Sequence, residues 1–246
     1  MDGYDPLDSF RETDAATYDD VLRGDEAETV DFLERLADGG RVLELAIGTG
    51  RIALPLAAHG VTVDGVDLSE PMVARLRSKP GGDALDVVIG DMADVPVEGA
   101  YRLVYLVFNT LYNLLTQDEQ VRCFVYVAAH LEPGGVFVVE ASTPWDLTRL
   151  RDSQYVDAEV VEKDRVTLDV GRYDPVTQIL DESHVTFSAS GIRLEPIRTR
   201  SIWPSELDLM ARIAGLRLVS RHGGWLGEPF TGDSRRHVSV YGRVEA

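Results

Sequence analysis

In RVLELAIGTGRIALPLAAHG, residues 41–60, a run of apolar strand-formers breaks into Gly48-Thr49-Gly50 and resumes with helical spacing. Glycines at a strand-to-helix turn let the main chain bend tightly and approach a ligand closely. Glu44 lies inside the strand, four residues before the turn, placed to put negative potential beneath a cation. Asp67 closes the next strand, VDGVDLSEPM, where a carboxylate can accept from both hydroxyls of a ribose resting on the turn. Asp91 closes the third strand, VVIGDMADV, where it can accept from an exocyclic adenine amine. Met92 beside it offers a backbone N–H to a ring nitrogen and an apolar side chain to the ring face. Three such signals at three successive strand ends point to a nucleoside-bearing ligand.

A dinucleotide is the rival ligand. Residues 48–53, Gly-Thr-Gly-Arg-Ile-Ala, satisfy G-x-G-x-x-A, and Asp67 lies near the spacing of the acid that holds an NAD ribose. An NAD(P)-dependent oxidoreductase therefore stands as an alternative. Three features weigh against it. Glu44 favours a cation over a pyrophosphate, Asp91 with Met92 marks an adenine site on the third strand, and LEPGGVFVVE with HVSVYGRV suits a seven-stranded sheet better than a second nucleotide-binding half.

The elements that must position these groups follow from periodicity. From residue 25 to about 140, helical patterns (EAETVDFLERLA, RIALPLAAHG, SEPMVARLRS, TQDEQVRCFVYVAAHL) alternate with apolar strands (RVLELAI, VTVDGVD, LDVVIGD, YRLVYLVFN, GGVFVVEAS). Gly39-Gly40 reads as a helix stop, Ser69 as a cap with Pro71 in the first turn, and Thr116 with Glu119 as a capping box. Such alternation implies a parallel sheet covered on both faces. After Trp145 the rhythm becomes strand upon strand through residue 203, with turns at Lys163-Asp164, Asp174-Pro175 and Ser190-Gly191. The pattern PSELDLMARIAGL, RLVSRH, HVSVYGRV then returns to the first rhythm. One α/β domain over 1–246 is expected, with an antiparallel β excursion inserted at 151–203.

The net charge of −18 repels phosphate backbones, which argues against nucleic acid as a partner. The stretch after Gly191 nevertheless carries most of its charge as arginine, an asymmetry suited to an anionic group or simply to a solvated surface. No apolar run approaches the ~20 residues of a membrane span. The acidic start MDGYDPLDSFRETDAATYDD lacks the charge and apolar pattern of a secretory signal, and Cys123, the single cysteine, reads as a small core hydrophobe. A reducing cytoplasm is the expected compartment, and no metal site is expected.

VLELAIGTGR, VDLSEPMV, GDMADV and LEPGGVFVVE resemble the successive motifs of class I S-adenosylmethionine-dependent methyltransferases, over roughly residues 15–145 and 204–246. Ala46 and Ile47 depart mildly from the family, bearing mainly on backbone approach. The resemblance implies a Rossmann-like seven-stranded sheet with its last strand antiparallel. It places Glu44, Ala46, Gly48 and Gly50 around the methionine moiety, Asp67 at the ribose, and Leu68, Asp91 and Met92 at the adenine. Phe108 and Asn109 would approach the transferable methyl. ATYDDVLRG resembles a lid segment within N-terminal lid helices at 1–40, with Tyr18 touching the methionyl end and Arg51 or Arg23 pairing with the cofactor carboxylate.

The implied reaction is in-line methyl transfer to nitrogen or oxygen of a small metabolite, such as a natural-product or sugar intermediate, with proximity as the main catalytic term. Alignment nearly suffices for a neutral amine, whereas an alcohol gains ~10²–10⁴-fold from a general base. His184, His222 and Tyr112 are the candidates for that role; His59 and His130 fall at helix ends, and His237 opens the last strand. Tyr112, Trp145, Trp203 and Trp225 are candidate walls of the acceptor pocket. The layout of the insert resembles that of amino-sugar N-methyltransferases, which implies a homodimer. A cofactor-binding protein without transferase activity is the second functional class.

Overall fold

A computed structural model describes residues 1–20, 23–94 and 97–244. Short α1 (Glu12–Thr17) and amphipathic α2 (Glu26–Ala37) lead into an alternating run. That run is β1 (Val42–Leu45), α3 (Ala53–Ala58), β2 (Val63–Asp67), α4 (Glu70–Arg77), β3 (Asp86–Ile89), β4 (Tyr101–Leu106), α5 (Gln117–His130) and β5 (Leu131–Ser142). Four strands follow with no helix between them: β6 (Gln154–Val161), β7 (Arg165–Asp174), β8 (Ile179–Ser188) and β9 (Gly191–Arg200). Helix α6 (Pro204–Ile213), β10 (Leu216–His222) and β11 (Arg236–Arg243) complete the chain.

The first sheet has seven strands in the order β10-β11-β5-β4-β1-β2-β3, parallel except for β11, which runs antiparallel to both neighbours. The chain builds outward from β1 through β2 to β3, then returns to place β4 on the other flank of β1. Strand order thus reverses between β1 and β4, and ligands of open α/β sheets bind at the carboxyl ends beside such a switch point. The second sheet is antiparallel, in the order β6-β7-β8-β9. Both arrangements are those expected from the sequence.

Alternation along β1 divides the core. Val42 joins Leu56, Leu103 and Tyr105 beneath α2 and α3, whereas Leu43 and Leu45 join Phe124, Phe137 and Leu207 beneath α5 and α6. Caps set the helix starts: the Ser69 hydroxyl accepts from Met72 N–H at the head of α4, and Thr116 and Glu119 form the reciprocal box of α5. Helix α2 stops one residue earlier than its glycines suggest. Asp38 itself takes the left-handed cap (φ 47°), a conformation that aspartate tolerates.

A buried polar hub fastens the inserted sheet. Arg200, ending β9, donates to Gln120 Oε1 (2.5 Å), to Glu206 Oε1 (2.7 Å) and to Gln178. The Gln120 amide returns to the carbonyls of Leu111, Leu114 and Arg200. Among the described residues no helix is long and apolar enough to cross a membrane.

Gly65 of β2 lies opposite Glu44, and a Cβ there would run into the Ile47 side chain just before the glycine turn. Gly65→Ala is expected to cost about 1–3 kcal/mol by overpacking. A lower urea midpoint at unchanged slope is the expected readout, and an unchanged midpoint would show that Ile47 has room to yield.

Candidate active site

The turn after β1 adopts the left-handed conformation at Ala46 (φ 53°), Gly48 (φ 56°) and Gly50 (φ 77°). Ala46 is the unexpected member, because a Cβ resists the left-handed region. A Cβ on Gly50 would sit 3.0 Å from both Leu54 and Leu76. The turn is built by Asp67 from the neighbouring strand: its Oδ2 accepts the Gly48 N–H at 2.6 Å and its Oδ1 the Ser69 N–H at 2.7 Å. Burial raises the Asp67 pKa, and the hydrogen bonds from Ser69, Gly48 and Leu68 pull it back.

Glu44 lies under this turn, 3% exposed, accepting the Tyr105 hydroxyl at 2.8 Å. Burial pushes its pKa up to about 8, against the hydrogen bonds from Tyr105 and Ala53, and the nearby Asp67 adds to the rise. At the end of β3, Gly90 N–H donates to Asp67 O (2.8 Å), which binds the second and third strand ends together. Asp91 Oδ1 accepts Ala93 N–H at 2.8 Å, Met92 is buried, and Leu68 is exposed. Of the motif GDMADV, residue 95 lies outside the described residues.

On the other side of the switch point, Phe108 (φ 68°) and Asn109 (φ 57°) are consecutive left-handed residues. Phe108 N–H donates to Glu140 Oε2 (2.9 Å), and Ser142 N–H donates to Asn109 Oδ1 (2.5 Å). Glu140 was missed in the sequence, although it stands near the end of β5 much as Asp67 and Asp91 stand at their strand ends; that position was the available signal.

The N-terminal segment closes over these groups. Asp19 accepts from the Thr49 hydroxyl of the glycine turn and pairs with Lys79, both at 2.7 Å. Arg51 donates to Tyr18 O at 3.2 Å, and its guanidinium carbon lies 4.9 Å from the Tyr18 ring and 5.2 Å from the Phe108 ring. The Arg23 guanidinium lies over the Phe108 ring, and desolvation there pushes its pKa down to about 10. Residues 21 and 22 of ATYDDVLRG lie outside the described residues.

Beyond Phe108 opens a cavity of about 1160 Å³, with Tyr18, Arg23, Arg51, Asn109 and Tyr112 on the near side. Its far wall is the second sheet, including Glu159, Glu182 and His184. His184 Nδ1 lies 3.2 Å from Glu159 and 3.6 Å from Asp169, while Nε2 lies 3.8 Å from Glu182, which also accepts the Tyr155 hydroxyl. Burial, then the charge of Glu182, push the Asp169 pKa up to about 6. Among the described residues, the His184 ring is shared by Glu159, Asp169 and Glu182, and no lysine or arginine pairs with any of them.

The remaining sequence candidates are distributed differently. Tyr112 lines the cavity, but its hydroxyl donates to Ser142 O (2.6 Å) and Ile202 O (3.1 Å), and burial drives its pKa well upward. Trp145 and Trp203 pack edge-on at 5.2 Å, outside the cavity lining. Trp225 is a correction to the expected pocket wall: it is 2% exposed, edge-on to Phe32 in the core beneath α2. His222 contacts the same ring and also lies away from the cavity. The loop between β10 and β11 buries the indole there because Phe32 offers it an apolar bed.

A sheet of this order with a glycine turn at its switch point defines an α/β nucleotide-binding protein. Residues 42–135 match the family described as "Methyltransferase domain". The solved structure of the CcbJ methyltransferase from Streptomyces caelestis is 40% identical over 99% of this chain and 100% of its own, with a TM-score of 0.91. The cypemycin N-terminal methyltransferase of a Streptomyces species is 29% identical over 85% of each chain. S-adenosylmethionine-bound CalS10, an amino pentose methyltransferase from Micromonospora echinaspora, is 26% identical over 96% of this chain and 98% of its own, with a TM-score of 0.70. The chain belongs to the class I S-adenosylmethionine-dependent methyltransferases, and its cofactor is S-adenosylmethionine.

Because the Glu44 pKa is raised on folding from 4.5 to about 8, its contribution to stability is full below pH 4.5 and is lost as pH rises through 8. Glu44→Gln, which does not ionise, is therefore expected to gain stability over the wild type between pH 5 and pH 9. Thermal unfolding at both pH values checks this, and a difference in melting temperature that does not grow with pH would contradict the burial of a reluctant carboxylate.

Proposed function

We propose that the protein transfers a methyl group from S-adenosylmethionine to an amine nitrogen of a small metabolite held in the cavity beyond Phe108. The observation that carries the nitrogen reading is on the far wall: Glu159 and Glu182, with Asp169 beside them, share the His184 imidazole and pair with no lysine or arginine among the described residues. Such a carboxylate cluster attracts an ammonium. Two of the relatives act on nitrogen-bearing acceptors by their names, an N-terminal methyltransferase and an amino pentose methyltransferase, which supports the same reading.

The residues present fit the cofactor. Gly48 and Gly50 hold conformations that side chains resist, leaving a main-chain cradle beside the buried carboxyl groups of Glu44 and Asp67. Each oxygen of Asp67 accepts one backbone N–H and keeps a second lone pair for a ribose hydroxyl. Asp91, Met92 and Leu68 would frame the adenine, Glu44 with Ala46 would underlie the methionyl ammonium, and Arg23 or Arg51 would meet its carboxylate. When bound, S-adenosylmethionine supplies a methyl already activated by its sulfonium. The protein's own task is alignment: Phe108 and Asn109 bound the space between cofactor and acceptor, and Phe10, Tyr18 and Arg23 of the N-terminal segment close it to water. His184 is placed to receive the proton that an incoming ammonium must lose: one N–H bond breaks, its electron pair stays on nitrogen, and the proton passes to the ring. The apolar outer face of the second sheet, with Val156, Phe187 and Ile192 exposed, supports pairing with a second copy of the chain.

Methyl-labelled S-adenosylmethionine offered with matched amines and alcohols tests the reaction. Label is expected in the amines, at a rate that rises with pH as the ammonium deprotonates. Glu182→Gln is expected to raise KM for the amine about tenfold while leaving cofactor affinity unchanged. Label confined to alcohols would overturn the nitrogen reading, and cofactor binding with no label in any acceptor would favour a binding protein over an enzyme. By calorimetry, Asp67→Ala is expected to weaken S-adenosylmethionine binding by more than about tenfold, and undiminished affinity would remove Asp67 from the ribose.

A further inference from the structure

Glu140 is a buried carboxylate to which the reaction described above gives no task. It is 8% exposed near the carboxyl end of β5, between the fully buried Val139 and Ala141. A carboxylate in such surroundings is costly, and an apolar residue would serve the strand as well. Its contacts indicate what it supports. Oε2 accepts the N–H of left-handed Phe108 at 2.9 Å, and Oε1 lies 3.7 Å from Arg236. Left-handed backbone is strained for a non-glycine residue and persists only where its surroundings impose it. Phe108 and Asn109 are two such residues in succession, and each is tied to β5: Glu140 accepts the Phe108 N–H, and Ser142 N–H donates to the Asn109 side chain. Were the chain to continue extended from β4, the phenyl ring would leave the cavity wall, where it now lies under the Arg23 guanidinium and beside that of Arg51. Arg236, the partner of the other oxygen, also pairs with Asp25, at the head of α2 where the N-terminal segment leaves the fold. One carboxylate thus joins the left-handed turn to the root of the closing segment.

We propose that Glu140 is a positioning residue for methyl transfer, fixing the left-handed turn so that the Phe108 ring faces the sulfonium end of the cofactor. This rests on the placement of that end between Glu44, Phe108 and Asn109. A ring face attracts a sulfonium and is indifferent to a neutral thioether. The position of the ring is therefore read by comparing S-adenosylmethionine with S-adenosylhomocysteine.

Calorimetric affinities for both compounds are measured on the full chain for the wild type, Glu140→Ala, Glu140→Gln, Phe108→Ala and the Glu140→Ala/Phe108→Ala double variant, with thermal unfolding alongside. Glu140→Ala is expected to lower the preference for the sulfonium by about tenfold. Glu140→Gln keeps an oxygen for the Phe108 N–H and is expected to stay within about twofold of the wild type. Phe108→Ala should reproduce the loss, and the double variant should lose no more than Phe108→Ala alone. The proposal is overturned by an unchanged preference in Glu140→Ala, by Glu140→Gln failing as badly as Glu140→Ala, or by additive losses in the double variant. Should Glu140→Ala fail to fold, Phe108→Ala decides: a preference equal to the wild type's shows that the ring faces no sulfonium, and the proposal falls. A wild type that binds neither compound would sink the cofactor site itself, whereas binding of both with these variants silent would sink only the role of Glu140.

Discussion

The grip of Asp67 on the Gly48 and Ser69 amides is the interaction on which the rest of the molecule depends. It converts the end of β2 into the scaffold of the turn that ends β1, so neither strand end has its working shape without the other. Charge-assisted hydrogen bonds of this kind are short and directional, and they define the turn more sharply than apolar packing can. Glu44 below, the Gly90 amide beside, and Asp19 with Thr49 above all take their places relative to that turn.

The two flanks of the switch point use the same device with different consequences. On the β2 side a carboxylate steadies glycines, which adopt the required backbone at little cost. On the β5 side Glu140 steadies a phenylalanine, which does not. The second arrangement is the more strained, and it stands where the cavity meets the closing segment. Strain held by surrounding contacts at a site of alignment is a common property of active sites.

Local rules carried most of the reading from sequence. The glycine turn, the Ser69 cap, the Thr116–Glu119 box and the alternating strands each depend on residues within a few positions of one another, and each appears as expected. What could not be read depends on partners far apart in the chain. Ala46 is left-handed because its turn is clamped by residue 67, Phe108 because of residue 140, and Arg200 is neutralised by residue 206 and hydrogen-bonded by residues 120 and 178. Trp225 was assigned to a pocket because aromatic residues suit both cores and pockets, and only the fold reveals that Phe32 lies waiting for it. The sequence position of Asp67 suggests a ligand residue and is silent on its building of the turn, and a single carboxylate has lone pairs enough for both.

The Arg200 hub has one more consequence. The second sheet meets the helices of the first through that knot of buried polar groups, while Glu159, Glu182 and His184 on its inward face pair with one another. Substitutions among those lining residues therefore leave the Arg200 knot and the Asp67-clamped turn in place, so the cavity wall can change its chemistry while the seven-stranded sheet keeps its fold.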